Sequence, residues 1–190
     1  MAKVTLNNVR LSFPHIFEPQ ASQDGGQPKY NAILIIDPSD SKTVAKIEAA
    51  IEQVAKEKWQ GKAEGILSQL RKTDKVAFRT EAKCNQNGEV YDGFEDRYWI
   101  SSSTPSRPTV VDRDRSPLTA ADGKPYGGCY VNAIIEIWPQ DNKYGKRINA
   151  ELKGIQFYRD GDAFAGGTPA SADEFDVVDD DFEDDGSDLV

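Results

Sequence analysis

Gly128-Cys129-Tyr130-Val131-Asn132-Ala133-Ile134-Ile135-Glu136-Ile137-Trp138 sorts its side chains by strict alternation. Cys129, Val131, Ala133, Ile135 and Ile137 share one side, and every one of them is apolar. Tyr130, Asn132, Ile134, Glu136 and Trp138 share the other, where two large rings mix with polar groups. A period of two over this length specifies a β-strand with one face in a core and one face toward solvent. Arg147–Tyr158 repeats the pattern: Ile148, Ala150 and Leu152 point in, while Arg147, Asn149, Glu151 and Lys153 point out. Such strands must close over a core, so this pair sets the fold class as mainly β.

Working outward, Val4–Phe13 alternates with one slip at Asn7-Asn8, which predicts a bulged strand. Pro14–Pro28 is turn-rich, and Lys29–Ile36 is a second strand with an unbroken apolar end. Asp37-Pro38-Ser39-Asp40-Ser41 then supplies helix-capping residues. Val44, Ile47, Ile51 and Val54 follow at spacings of three and four, predicting an amphipathic helix over Ser41–Trp59, with a shorter one at Ala63–Leu70. Further strands are expected at Lys75–Glu81, Arg97–Ser102 and Thr109–Asp112, separated by turn signals such as Asn87-Gly88 and Gln140–Gly145. Short strands with Gly/Pro turns and an inserted helix indicate a small mixed barrel.

Charge divides the chain differently. The whole sequence carries a net −9, but Asp173–Val190 holds ten acids and no base. Without it, residues 1–172 hold 23 basic and 22 acidic residues. We therefore expect a folded body over 1–160, a flexible Gly/Ala-rich linker over 161–172 and a disordered acidic arm over 173–190. No run of eighteen apolar residues predicts a membrane span, and no signal-peptide pattern opens the chain. Cys84 and Cys129 form no CxxC pair and are expected to be reduced thiols, with no metal and no cofactor.

Enzymatic readings find little support. His15 is the only histidine, so neither HExxH nor a Ser-His pair with GxSxG is available, and no GxxxxGK[ST] occurs. A nuclease could draw on Glu89, Asp92, Glu95 and Asp96, but these lie in one turn-like segment and read better as a solvated loop. The outer strand faces are more informative. Lys75 and Arg79 point out of one strand, Arg97 and Trp99 out of another, and Tyr130 and Trp138 out of a third. Arg107, Tyr144, Lys146 and Arg147 join them from loops and strand ends. Rings that stack bases, interleaved with cations that track phosphates, are what a single nucleic-acid strand needs. The rings could instead form a second small core under the helix; the interleaved cations favour a binding surface.

These segments carry a family likeness. Lys29-Tyr30-Asn31-Ala32-Ile33-Leu34-Ile35-Ile36-Asp37-Pro38 before a charged helix, Val110-Val111-Asp112 with Gly127-Gly128 before a strand ending Trp138-Pro139, and the closing strand with its acidic arm resemble the single-stranded DNA-binding proteins of tailed bacteriophages. Arg10-Leu11-Ser12-Phe13-Pro14-His15-Ile16-Phe17 resembles one branch of them. The resemblance implies an OB-fold barrel in the host-cell cytoplasm that binds single-stranded DNA during replication, recombination and repair. It also implies an arm that contacts replication proteins and competes with DNA. Asp179, Asp180, Asp181, Phe182, Glu183, Asp184, Asp185, Leu189 and Val190 would form that contact, with Phe182 or Leu189-Val190 as the apolar anchor. Two features depart from the pattern: the helix follows the second strand, where the common OB plan sets it after the third, and the arm does not end in an aromatic residue. Oligomeric state, including a homodimer, stays open. The rival reading is an acidic-tailed interaction module or DNA mimic that does not bind DNA itself.

Overall fold

The computed structural model describes residues 1–164, together with 175 and 177. Its elements in chain order are β1 (Ala2–Gln20), β2 (Lys29–Ile36), α1 (Ser41–Trp59), α2 (Ala63–Lys72), β3 (Phe78–Arg79), β4 (Tyr98–Thr104), β5 (Thr109–Val111), β6 (Tyr130–Asn142) and β7 (Gly145–Arg159). Single 3₁₀ turns occur at Gln60–Lys62 and Ala120–Asp122.

The wall runs β4-β2-β1-β6-β7 by antiparallel pairing. It closes where β4 meets β7 in parallel at Ser103↔Glu151. This is the expected OB-like barrel, with its helices inserted between β2 and β4. β3 extends the wall beyond β4, and β5 pairs in parallel with β7. Alternation sets the interior as the sequence implies: Cys129, Val131, Ala133, Ile135 and Ile137 are buried, as are Ile148, Ala150 and Leu152. One continuous apolar core joins them to Leu6, Leu11 and Leu34 and to the inner face of α1, through Ile47, Ile51 and Val54.

α1 begins and ends where its sequence directs. The Asp40 carboxylate accepts from the Thr43 backbone N–H (3.2 Å) and from the Thr43 hydroxyl (2.6 Å). Asp40→Ala is therefore expected to lower folding stability by about 1 kcal/mol, read as a shift in the urea midpoint. At the other end, Trp59 Nε1 donates to Asp141 Oδ2 (2.9 Å), which ties the helix to the β6–β7 hairpin. That bond, with Lys146 beside it, holds the Asp141 carboxyl below its ordinary range.

Three boundaries differ from the sequence reading, each for a local reason. β1 does not stop at Phe13 but continues to Gln20. Pro14 has no N–H to donate, and it falls in a register shift between Ser12 and His15, where the ladder needs none. The β6–β7 turn is not six residues long: Asn142 pairs with Gly145, leaving Lys143-Tyr144 as the whole connection. Lys75–Glu81 is mostly not strand. Val76 instead bridges Ile148, and Ala77 donates to the Ile148 carbonyl (2.9 Å) while Ile148 donates to that of Lys75 (3.0 Å).

The expected slip at Asn7-Asn8 is present. Register shifts between Leu6 and Val9, Asn8 takes φ 53°, and its N–H donates to Asn132 Oδ1 (3.0 Å). The linker expected from Gly161 is displaced, because Gly161–Phe164 lie on the barrel. Tyr126 Oη donates to Asp160 (2.7 Å), and the Phe164 N–H donates to the Gly127 carbonyl (3.0 Å). Gly128, at φ 108°, makes room for this: a Cβ there would sit 2.1 Å from the Asp162 carbonyl oxygen. The rest of the linker, and the acidic arm apart from the exposed Phe175 and Val177, lie outside the described residues. Among the described residues no helix is long and apolar enough to cross a membrane.

Candidate nucleic-acid interface

Strand register brings three side chains to one level on the outer wall. Arg10 of β1 pairs with Tyr130 of β6, and Tyr130 pairs with Arg159 of β7. Directly opposed residues on one face of a sheet touch. The Arg159 guanidinium accordingly lies 3.6 Å from the Tyr130 ring centroid, and that of Arg10 lies 5.7 Å from it. Arg10 also lies 4.2 Å from the ring of Phe164, so cations and rings alternate in the order Arg159, Tyr130, Arg10, Phe164. The two arginines are held differently. Arg10 donates to the carbonyls of Gly128 (3.0 Å) and Asp162 (2.9 Å) and is fixed. Arg159 is exposed and, among the described residues, its side chain makes no hydrogen bond or ion pair.

The second bulge of β1 extends this row. At φ 46°, Phe13 is turned out of the wall and left 42 % exposed. It packs edge-on against Tyr91 (5.0 Å) and near Phe94 (6.3 Å). Phe13, Val90, Tyr91 and Phe164 line an apolar recess of about 420 Å3. Phe94 is fully buried and leads on to Trp99 at 6.2 Å. A bulge that re-aims one side chain onto a surface is a recurrent device beside functional sites.

The residues singled out from sequence fall into separate groups. Tyr130 lies in the band just described. Trp99 shares its side of the wall but is not presented as a platform. It is 9 % exposed, packed with Ile35 and Phe94, and its Nε1 donates to the Glu81 carbonyl (2.8 Å). The alternative of a second small core is thus the one Trp99 adopts, although the core lies under the 80–96 segment and not under the helix. Arg79 is turned back onto Asp74 (3.1 Å) and the Val76 carbonyl (2.8 Å). Arg97 reaches toward Asp37 (3.9 Å). Lys75 and Arg107 are exposed.

Trp138, Tyr144, Lys146 and Arg147 form a second group at the β6–β7 hairpin. Tyr144 at its tip is 77 % exposed, and Lys146 pairs with Asp141 (3.4 Å). Tyr130 and Trp138 share a face of β6 but lie eight residues apart, roughly 26 Å at the rise of a strand. They do not form one platform with Trp99. The expected arm contacts, Asp179–Asp181, Phe182–Asp185 and Leu189-Val190, lie outside the described residues.

Sequence reasoning did not single out Arg10, Phe13, Tyr91, Phe94, Arg159 or Phe164. Arg10 and Arg159 gain meaning only from register, and Phe13 only from its bulge. Tyr91 and Phe94 sat inside a segment that reads as a solvated loop. Of the acids in that segment, Glu89 accepts from Asn85 Nδ2 (3.1 Å) and Glu95 from the Gly93 N–H (3.0 Å). They shape turns, and among the described residues no three acidic, His or Cys side chains gather as a metal set.

Known proteins share this architecture. A family model described as the ssDNA-binding protein of Enterobacter phage Enc34 matches residues 2–187. Putative protein p50 of Acyrthosiphon pisum secondary endosymbiont phage 1 is 45 % identical over 177 residues, 92 % of each chain. Among solved structures, the single-stranded DNA-binding protein of bacteriophage Enc34 in complex with ssDNA aligns with TM-score 0.70 and 28 % identity, over 86 % of this chain and 90 % of that one. The bacteriophage T7 single-stranded DNA-binding protein gp2.5 aligns with TM-score 0.53 at 12 % identity, over 94 % and 99 %, a likeness of fold alone. With the family model spanning nearly its whole length and its barrel superimposing on that of the Enc34 protein, this chain belongs to the Enc34-type phage ssDNA-binding protein family.

Proposed function

We propose that this protein binds single-stranded DNA without sequence preference, using the outer band from Arg159 through Tyr130, Arg10 and Phe164 to Phe13 and Tyr91, and that it is a binding protein and not an enzyme. The observation that carries this reading is the alternation of cations and rings in that band. An exposed cation–π contact contributes about 0.5–1 kcal/mol, whereas a base stacked on an aromatic ring contributes about 1–3 kcal/mol. A base arriving on Tyr130 therefore displaces the unanchored Arg159, whose guanidinium is released to a phosphate. Arg10, held by two carbonyls, keeps its place and supports the ring from behind. Each free strand accepts this exchange because every base has a π-face; duplex DNA does not, since its bases are already stacked.

The biological setting we assign is phage DNA replication, recombination and repair. The acidic arm from Asp173 would compete with DNA for the band and recruit replication proteins through Phe182 or Leu189-Val190. Its ten acids begin nine residues after Phe164, whose backbone and ring are seated on the band, so the chain that carries the arm leaves the described body at the site it would screen.

The experiment is a titration of fluorescent single-stranded and duplex oligonucleotides across salt, with the full chain and with a chain ending at Ala172. The expected result is preference for the single strand and an affinity that falls steeply with salt, by about 0.7 in log–log slope per phosphate contacted. Removing the arm should raise affinity most at low ionic strength, where screening is weakest. Equal affinity for both DNA forms overturns the proposal, and absence of DNA binding favours an acidic-tailed interaction module.

A further inference from the structure

Beyond Trp99 the wall opens into a recess of about 380 Å3, whose lining includes Arg71, Arg79, Lys83, Cys84 and Trp99. Its cations are not equivalent. Arg71 is paired with Glu48 (2.6 Å), and Arg79 with Asp74 (3.1 Å). Lys83 has no carboxylate within ion-pair distance among the described residues. Its Nζ rests 4.7 Å from the Trp99 ring, and the Arg79 guanidinium rests 5.5 Å from the same ring. Burial, and then the charge of Arg79, lowers the pKa of Lys83. Glu81 lines the recess too, but it is exposed, and its carbonyl is taken by the Trp99 indole. A partly desolvated ammonium beside a second cation is an unfavourable arrangement that an oxyanion between the two would relieve.

We infer that this recess takes one backbone phosphate of bound single-stranded DNA, with Lys83 as its direct ligand and Arg79 as the fixed second cation. The inference rests on the proposed single-strand binding and extends its path past the stacking band to the β3–β4 edge of the wall. The shared chemistry is a phosphate oxyanion; the source we assign is the phosphodiester and not free phosphate. Arg79 has a structural role at the β3 turn, through the Val76 carbonyl and Asp74, so Lys83 is the residue to test.

Two measurements on the full chain decide it. Lys83→Met keeps an unbranched stem on Trp99 and removes the charge. It should reduce the slope of log affinity against log salt by about 0.7, the value of one single-strand phosphate contact. In the unmutated protein, Cys84 is exposed in the recess while Cys129 is buried, with its thiol pushed up to about 11 by burial, so alkylation reports on the recess alone. Saturating oligothymidylate should slow Cys84 alkylation severalfold, and inorganic phosphate should not. An unchanged salt slope in Lys83→Met overturns the assignment, whether or not Cys84 is protected. Protection by inorganic phosphate with none by the oligonucleotide overturns it in favour of a free anion. Loss of single-strand preference in the unmutated protein would overturn the proposed function, and this site with it.

Discussion

Trp99→Ala is expected to cost about 3–5 kcal/mol of folding stability, the range for truncating a buried aromatic side chain. The indole packs with Ile35, its partner across β2 and β4, and with Phe94, and Tyr91 and Phe164 lie in the same cluster. Its removal opens a cavity between the wall and the 80–96 segment. It also leaves the Glu81 carbonyl without the indole N–H that now meets it. Urea unfolding followed by circular dichroism should show a midpoint well below that of the parent. Trp99→Phe, which keeps most of the packing and gives up the hydrogen bond, should lose about 1 kcal/mol. Should Trp99→Ala keep the parental midpoint and lose only DNA affinity, the ring would be a platform after all.

Why Trp99 misled is instructive about what a linear pattern contains. Alternation places a residue on one side of a sheet or the other, and it did so correctly for Trp99, Tyr130 and Trp138. It does not say what lies over that side. The segment from Thr80 to Asp96 reads as polar, with Asn, Glu or Asp at seven of its seventeen positions, and its two rings look incidental. In the folded protein Phe94 is fully buried, and the segment roofs the β2–β4 face. Cores, in contrast, were legible, because burial selects for apolar residues at every second position regardless of which strand is the neighbour. The same holds for α1, where a cap at Asp40 and a stripe through Ile47, Ile51 and Val54 are local signals.

The nucleic-acid band is built from non-local facts. Arg10, Tyr130 and Arg159 are separated by more than a hundred residues in one case and nearly thirty in the other, and are joined only by register. That register depends on the bulge at Asn8: without it, regular alternation from Leu6 would put Arg10 inside the barrel and Leu11 outside. A sequence pattern can suggest the bulge, but it does not supply the partner strand. Phe13 is a sharper case. In regular alternation it belongs with Leu11 and Val9, inside; a positive φ turns it outward to meet Tyr91.

Tyr130→Ala should weaken single-strand binding by about 1–3 kcal/mol, a factor of roughly 5 to 150, with little change in salt slope. The two parts of this expectation separate stacking from charge. The substitution removes a base platform and no cation, so the number of phosphates neutralised is unaltered. Stability should fall far less than in Trp99→Ala, because the ring is only half-buried and lies on the outer wall. Tyr130→Phe should bind like the parent, since the phenol oxygen makes no hydrogen bond among the described residues and the ring face is retained. Parallel log–log salt plots for Tyr130→Ala and the parent, offset in affinity, would assign the ring to stacking. A flattened plot would mean that Arg159 had lost its phosphate along with the ring, and that Tyr130 acts by aiming that cation. Lys83→Met has the opposite signature, a changed slope, so the two substitutions distinguish the stacking part of the surface from its phosphate-binding edge.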